Sequence, residues 1–103
     1  MAFEEACLAD SLWNGEMRGV IVGGKKVLLV NIEGVVHAYA DRCAHLAVPL
    51  SLGKLKDNVL TCQAHEWQYD ARSGEGLNPQ GVRLPRYPVK IEQGKVLVDV
   101  EAG

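Results

Sequence analysis

Turn residues recur along this chain roughly every 8–12 residues, which is the spacing expected of a small all-β sandwich or barrel. Gly23-Gly24 lies between two strand-like runs, and such a pair favours a tight hairpin because glycine readily adopts positive φ angles. Glu33-Gly34 and Asp57-Asn58 mark further turns. No segment shows the sustained apolar period of an amphipathic helix. The sequence therefore predicts an all-β fold, a sandwich or barrel of short antiparallel strands.

Individual strands can be placed from the same pattern. We expect strands at 3–8, 16–22, 25–31, 35–39, 59–61, 67–69, 89–91 and 95–100. We also expect one helical turn at 10–13, with Asp10 or Ser11 as its cap. Segment 40–52 has no strand pattern, so we expect one loop there, and we expect a second loop at about 62–69 that ends in the alternating residues 67–69.

Length and charge narrow the class of protein. With 103 residues the chain is long enough for one small domain and too short for two, so we expect a single domain over 1–103. The net charge of −2 and the lack of a Lys/Arg cluster argue against a nucleic-acid partner. No run approaches the ~20 apolar residues that span a bilayer. Glu4 and Glu5 stand where a secretory signal would be basic and then apolar, so we expect a cytoplasmic protein without a membrane partner.

The cysteine count points to metal binding. The chain has three cysteines, and an odd number argues against a disulfide framework and for metal ligation by two of them. Cys7 has no histidine or second cysteine beside it, so we expect a small buried apolar residue.

The other two cysteines each lie close to a histidine. Cys43 and His45 form a C-x-H pair, and Cys62 and His65 form a C-x-x-H pair. Two thiolates and two imidazoles suit an asymmetric [2Fe–2S] centre, in which the cysteines hold one iron and the histidines hold the other. The two thiolates cancel the positive charge of the oxidised core, and neutral imidazoles add none. Adding an electron to a neutral site is easier than adding one to an anion, which raises the reduction potential to about −150 to +300 mV. The four residues thus predict a one-electron carrier that is not itself an enzyme.

A structural zinc site is the alternative for the same ligand set, and the chain would then be a zinc-structured or redox-sensing interaction module. Zinc fingers usually pair cysteine with cysteine and histidine with histidine, and they place a helix between the pairs. A chain that is 48% hydrophobic also has no need of a metal in order to fold. The third histidine, His37, lies alone on a predicted strand, and we expect it to be exposed or hydrogen-bonded and to take no part in the site.

The two ligand pairs resemble those of the Rieske proteins. Within that family the chain is most similar to the small ferredoxins of multicomponent aromatic-hydrocarbon oxygenases, and above all to the ferredoxin component of toluene monooxygenase systems. Segments 1–7, 13–17, 59–67 and 76–79 support the likeness. The resemblance implies a β-sandwich-like base with a small cluster-binding subdomain formed by two loops. It also implies that Cys43 and Cys62 hold a buried iron and that His45 and His65 hold an outer iron near the surface.

Partners follow from the same resemblance. It implies an NADH-dependent flavoprotein reductase as the electron donor and a di-iron aromatic-ring hydroxylase as the acceptor. The ferredoxin of a ring-hydroxylating dioxygenase is the alternative, with the same chemistry and a different final acceptor. We expect a monomer, because a shuttle must present its cluster to two partners in turn. The aromatic substrate is chosen by the hydroxylase and is not encoded here.

Several neighbouring residues are candidates for tuning the centre. In high-potential members of the family a tyrosine four residues after the second histidine bonds a cluster thiolate, which is the position of Tyr69; a half-buried strand aromatic is the alternative. Trp67 either shields the cluster loop or packs in the core. The ligand loops lack the extra cysteines of high-potential members, which implies a potential in the lower part of the range. Segment 85–88 is a candidate third loop beside the cluster, with no ligand assigned.

Overall fold

The computed structural model describes residues 3–42, 49–63, 67–78 and 80–101. Its strands are β1 (Glu4–Leu8), β2 (Met17–Val22), β3 (Lys25–Ile32), β4 (Val35–Ala40), β5 (Lys54–Lys56), β6 (Val59–Thr61), β7 (Gln68–Asp70), β8 (Gly76–Asn78), β9 (Arg86–Tyr87), β10 (Val89–Glu92) and β11 (Lys95–Val98). Two short 3-10 turns, Ala9–Ser11 and Leu50–Leu52, are the only helical elements in these ranges. The all-β prediction is confirmed, and no helix in the described ranges has the length and apolar character needed to cross a membrane.

The strands form three antiparallel sheets. The terminal sheet has the order β1-β11-β10, the central sheet β2-β3-β4-β9, and the site sheet β5-β6-β7-β8. Six of the eight neighbouring pairs in the described ranges join strands that follow one another in the chain, whereas the β1–β11 and β4–β9 pairs join distant strands. The hairpin predicted at Gly23-Gly24 is present, with φ angles of 57° and 79° at the two glycines, as a tight two-residue turn requires.

Strand β3 explains how two apolar cores are stacked in so small a chain. Val27, Leu28, Leu29 and Val30 are all fully buried. Side chains alternate between the faces of a strand, and a strand covered on both faces shows a continuous apolar run rather than an alternating one. Leu28 and Val30 belong to one core, whereas Val27 and Leu29 belong to the other. The central sheet therefore lies between two cores.

Each core joins the central sheet to one neighbour. The site core faces the site sheet and consists of Leu28, Val30, Ile32, Tyr39, Leu50, Leu60, Cys62, Tyr69, Ala71 and Leu84. The base core faces the terminal sheet and consists of Leu12, Val22, Val27, Leu29, Ala38, Val96, Val98 and Val100. This stacking provides the sandwich-like base and the separate smaller unit that the resemblance implied.

Some sequence predictions differ from the structure in detail. Strands β5, β8 and β9 were not predicted, and segment 85–88 contains β9, which pairs with β4 and so belongs in part to the central sheet. The helical turn is 3-10 and begins at Ala9, so the expected cap is wrong: Leu8 precedes the turn without a side-chain cap bond. The Ser11 hydroxyl instead donates back to the Leu8 carbonyl over 2.7 Å, because a turn of three residues is short enough for that reach.

Candidate metal centre

Cys62 is the one predicted ligand that lies in the described residues. It follows β6 directly, and its side chain is fully buried in the site core. Cys43, His45 and His65 lie outside the described residues, so the four-residue ligand set stays a prediction. Within the described ranges no three potential ligand side chains come together in a metal-binding group.

A backbone hydrogen bond fixes Cys62 at the mouth of a hairpin. Its N–H donates to the Trp67 carbonyl over 2.8 Å, which extends the β6–β7 ladder by one rung beyond the Thr61–Gln68 pair. The bond therefore joins the two residues that flank 63–66, the segment that leads to His65. Such a closed hairpin holds the backbone of Cys62 rigidly while its side chain points into the core.

The two aromatic candidates lie close to this cysteine in the fold. Tyr69 is fully buried in the same core as Cys62, so the half-buried alternative is wrong, because Leu28 and Val30 of the central sheet belong to that core as well. Trp67 is partly buried and packs against the site core, which is the core-packing alternative. A bond from the Tyr69 hydroxyl to a cluster thiolate stays a prediction.

Glycine allows the two loops to approach each other. Gly53 follows the 3-10 turn Leu50–Leu52, and a Cβ built on it would collide with the Thr61 carbonyl oxygen. Thr61 immediately precedes Cys62. The end of the first loop and the start of the second ligand pair thus lie backbone against backbone, which only glycine permits at this position. Gly53 could not be predicted from the sequence, because nothing near it in the chain indicates its partner.

His37 is a structural residue on the other side of the site core. It is buried, its ring stacks on Tyr39 with centroids 6.3 Å apart, and its Nδ1 lies 3.0 Å from Nη2 of Arg86. Burial lowers the pKa of His37, and the positive charge of Arg86 lowers it further. A neutral ring accepts the guanidinium proton at Nδ1. The hydrogen-bonded alternative is confirmed and the exposed one is wrong.

Cys7 is less buried than expected. It is half-buried and packs against the base core from β1, which is an edge strand of the terminal sheet and is therefore covered on one side only. Neither Cys7 nor Cys62 belongs to a disulfide.

Most of this chain matches a known protein family. A sequence model of the Rieske [2Fe-2S] domain matches residues 3–88. The chain belongs to the Rieske [2Fe-2S] family. Its cofactor is accordingly one Rieske-type [2Fe–2S] cluster, and the structural zinc alternative is set aside. The site fits such a group, since a buried thiolate in an apolar core is stable when a metal ion balances its charge.

Several relatives of this Rieske chain are ferredoxin components of oxygenase systems. It is 46% identical to the ferredoxin component of the alkene monooxygenase system of Xanthobacter autotrophicus over 100 residues, 96% of this chain and 82% of that protein. It is 34% identical to the ferredoxin component of the naphthalene 1,2-dioxygenase/salicylate 5-hydroxylase systems of a Ralstonia species, over 95% of this chain and 94% of that one. The structure of the complex of reduced oxygenase and oxidised ferredoxin in carbazole 1,9a-dioxygenase contains a chain of the same fold, with a TM-score of 0.83 and 25% identity over 93% of this chain and 91% of that chain. The chain is therefore a Rieske ferredoxin, an electron carrier, as the resemblance implied.

Proposed function

We propose that this Rieske ferredoxin carries single electrons from an NADH-dependent flavoprotein reductase to the di-iron hydroxylase of a monooxygenase system that acts on an aromatic or alkene hydrocarbon. The observation that carries the proposal is the 46% identity to an alkene monooxygenase ferredoxin component, against 32% and 36% to two dioxygenase ferredoxin components that match a similar share of this chain. The chain itself would catalyse no reaction.

Cys43 and Cys62 would hold the inner iron, and His45 and His65 the outer one. Complete burial of Cys62 supports its place on the inner iron, because the core excludes water from the sulfur. The cluster, when bound, takes up and releases one electron. The chain's own residues would hold the cluster rigidly, because the Cys62–Trp67 backbone bond closes the hairpin and Tyr69 packs in the same buried core as Cys62. Rigid ligation keeps the structural change on electron uptake small.

We also propose that residues 1–103 act as one Rieske domain, with the cluster loops at about 40–52 and 62–69. A monomer suits this role, since one cluster-bearing end must meet the donor and the acceptor in turn. No nucleic acid and no membrane would take part. The cytoplasm, where NADH is available to a reductase, would be the place of action.

A dioxygenase ferredoxin is the second candidate. Its support is the complex structure named above, in which a chain of this fold is bound to the oxygenase of carbazole 1,9a-dioxygenase. The two candidates share the cofactor and the donor and differ only in the acceptor.

Reconstitution with purified partners distinguishes the monooxygenase acceptor from the dioxygenase acceptor. The purified holoprotein is mixed with NADH, a flavoprotein reductase and either a di-iron hydroxylase or a Rieske dioxygenase, and hydroxylated product is measured against NADH consumed. We expect coupled product formation with the di-iron hydroxylase and little with the dioxygenase. The reverse order contradicts the monooxygenase assignment, and product formed without any oxygenase contradicts the role as a carrier.

A further inference from the structure

Asp41 stands two residues before Cys43 and is almost completely buried. Its carboxylate accepts two hydrogen bonds from one residue. Oδ1 accepts the backbone N–H of Ser51 over 2.9 Å, and Oδ2 accepts the Ser51 hydroxyl over 2.8 Å. Asp41 and Ser51 stand on either side of segment 43–48, which carries the first ligand pair. The two bonds therefore close the base of that segment; we call the pair the Asp41–Ser51 clamp.

The central sheet fixes the Asp41 end of the clamp. The Asp41 N–H donates to the Lys26 carbonyl at the start of β3 over 3.1 Å. The preceding residue, Ala40, donates its N–H to the Pro85 carbonyl over 2.9 Å. The backbone that carries the carboxylate is thus held from two sides, so the carboxylate is a fixed acceptor and not a mobile surface group.

The neighbouring strand leaves room for the clamp at one residue. A Cβ on Gly19 of β2 would lie 2.7 Å from Asp41 Oδ2 and 2.7 Å from Ser51 Oγ. The φ angle of Gly19 is not in the positive region, so its backbone conformation does not demand glycine. Glycine weakens a strand interior and often marks a close approach. The steric fit against the two clamp oxygens explains why β2 has a glycine at this position.

The Ser51 end connects the clamp to the second ligand pair. Ser51 lies in the 3-10 turn Leu50–Leu52. Gly53, which follows this turn, packs on the carbonyl oxygen of Thr61, the residue before Cys62. A displacement of Ser51 would therefore change the position of the first loop relative to Cys62. A buried carboxylate is stable only when it is well hydrogen-bonded, and bonds to an ionised acceptor are stronger than neutral ones.

We propose that Asp41 and Ser51 are positioning residues for the [2Fe–2S] cluster. Their two hydrogen bonds fix both ends of the first ligand segment and set it against Cys62, while Gly19 provides the space. The inference rests on the ligand set proposed above. Asp41 and Ser51 act through the backbone of the loop and bind no iron themselves.

The test measures iron release from the holoprotein to a chelator, well below the unfolding temperature, together with the reduction potential and the EPR spectrum of the reduced cluster. Asp41→Ala removes both bonds and should speed iron release by about tenfold or more, since hydrogen bonds to charged groups are among the stronger ones. Ser51→Ala removes only the hydroxyl bond and leaves the net charge unchanged, so a smaller acceleration with a shifted or broadened EPR spectrum reports geometry alone. Asp41→Asn keeps an acceptor for the Ser51 N–H and should restore part of the wild-type behaviour. Gly19→Ala should act like Ser51→Ala.

Ser11→Ala is the matched control. Ser11 also lies in a 3-10 turn and also donates its hydroxyl to a nearby oxygen, the Leu8 carbonyl, but it belongs to the base of the molecule. Its variant should release iron at the wild-type rate with an unchanged EPR spectrum. The inference is overturned if the clamp variants release iron no faster than Ser11→Ala, or if their faster release only follows a fall in global stability with the EPR spectrum unchanged. Failure of the proposed ligand set looks different, because the wild-type protein itself would then lack the EPR signature of histidine ligation.

Discussion

The two halves of this ferredoxin are held together in different ways. The base half combines the terminal sheet with the long strands β2, β3 and β4 of the central sheet, which have six to eight residues each. The site sheet has four strands of three residues each. On those four strands only Leu60 and Tyr69 are fully buried. The base half is thus a conventional apolar sandwich, whereas the site half has few buried side chains of its own and packs on the central sheet.

We expect the site half to open locally without unfolding the base half, so rigidity at the metal site and global stability of the fold depend on different parts of the chain. Short strands with few buried side chains open locally at low free energy, whereas long, buried strands open only with the whole domain. This arrangement suits a ferredoxin, because the stable base acts as a scaffold for the cluster loops that contact the partners. Four experiments can test this difference between the two halves.

Removing the cluster should loosen one half only. We expect iron chelation under reducing conditions to lower amide-hydrogen protection at least about tenfold for β6 and β7, because the cluster would no longer join the two loops. Protection of β3 and β11 should change little. Hydrogen-exchange mass spectrometry of the holo and apo forms provides the measurement. Equal loss of protection in both halves, or no loss in either half, would contradict the claim that the site half opens separately from the base half.

Adjacent leucines on β3 test the same difference between the two halves. Leu28 and Leu29 are both fully buried, but Leu28 faces the site core and Leu29 the base core. In the holoprotein each change to Ala should lower the free energy of unfolding by about 2–5 kcal/mol. In the apo form Leu29→Ala should cost as much as before, whereas Leu28→Ala should cost clearly less because its core is already loosened. Urea titration of the four samples checks this, and equal costs in the apo form would count against a separable site half.

Tyr39 links the halves through a single hydroxyl. Its O–H donates to the Ala71 carbonyl over 2.8 Å, and burial raises its pKa to about 12. The unfolded chain loses this proton near pH 10, its ordinary pKa, so the stabilisation is fully present below that pH and is lost as the pH rises towards 12. Tyr39→Phe should remove about 0.5–1.5 kcal/mol at neutral pH and should flatten the alkaline loss of stability. Denaturant titrations across this range test it; an equally steep alkaline fall in the variant speaks against Tyr39 as its source.

The smallest effect on the free energy of unfolding is expected for His37, at acidic pH. Burial and Arg86 lower its pKa below the ordinary value of 6.5, so below that pH the unfolded chain binds the proton more readily than the folded one. Stability should therefore fall as the pH drops from 6.5 to the folded-state pKa and level off beyond it. His37→Gln should show less of this fall than the wild type in urea titrations above and below pH 6.5. Identical slopes in the two proteins would rule out this role.

Local signals were enough to predict the hairpins and the kind of cofactor. The turns at Gly23-Gly24 and Asp57-Asn58 could be predicted because a two-residue turn limits its own residue types. The spacing of cysteine and histidine indicated the chemistry because the ligands themselves carry it. Strand β9 could not be found in this way, since two residues show no alternation and the strand exists only by pairing with β4.

Contacts between distant segments explain what else was missed. Asp41 and Ser51 are both turn-type residues by sequence, and nothing along the chain indicates that one accepts two bonds from the other. Complete burial of Tyr69 likewise depends on how the central sheet covers the site sheet, which no strand pattern records. The chemistry of the site could thus be predicted, but not the contacts that position it.

Ligation of the cluster by two histidine nitrogens is the central claim, and one measurement tests it directly. The reduced holoprotein, labelled with ¹⁵N only in histidine, is studied by pulsed EPR. The account predicts hyperfine couplings from two iron-bound nitrogens, one of which disappears in His45→Cys and one in His65→Cys, each with a lower reduction potential because a negative charge is added. A reduced cluster without strong histidine nitrogen coupling, or a coupling that survives both substitutions, would contradict it.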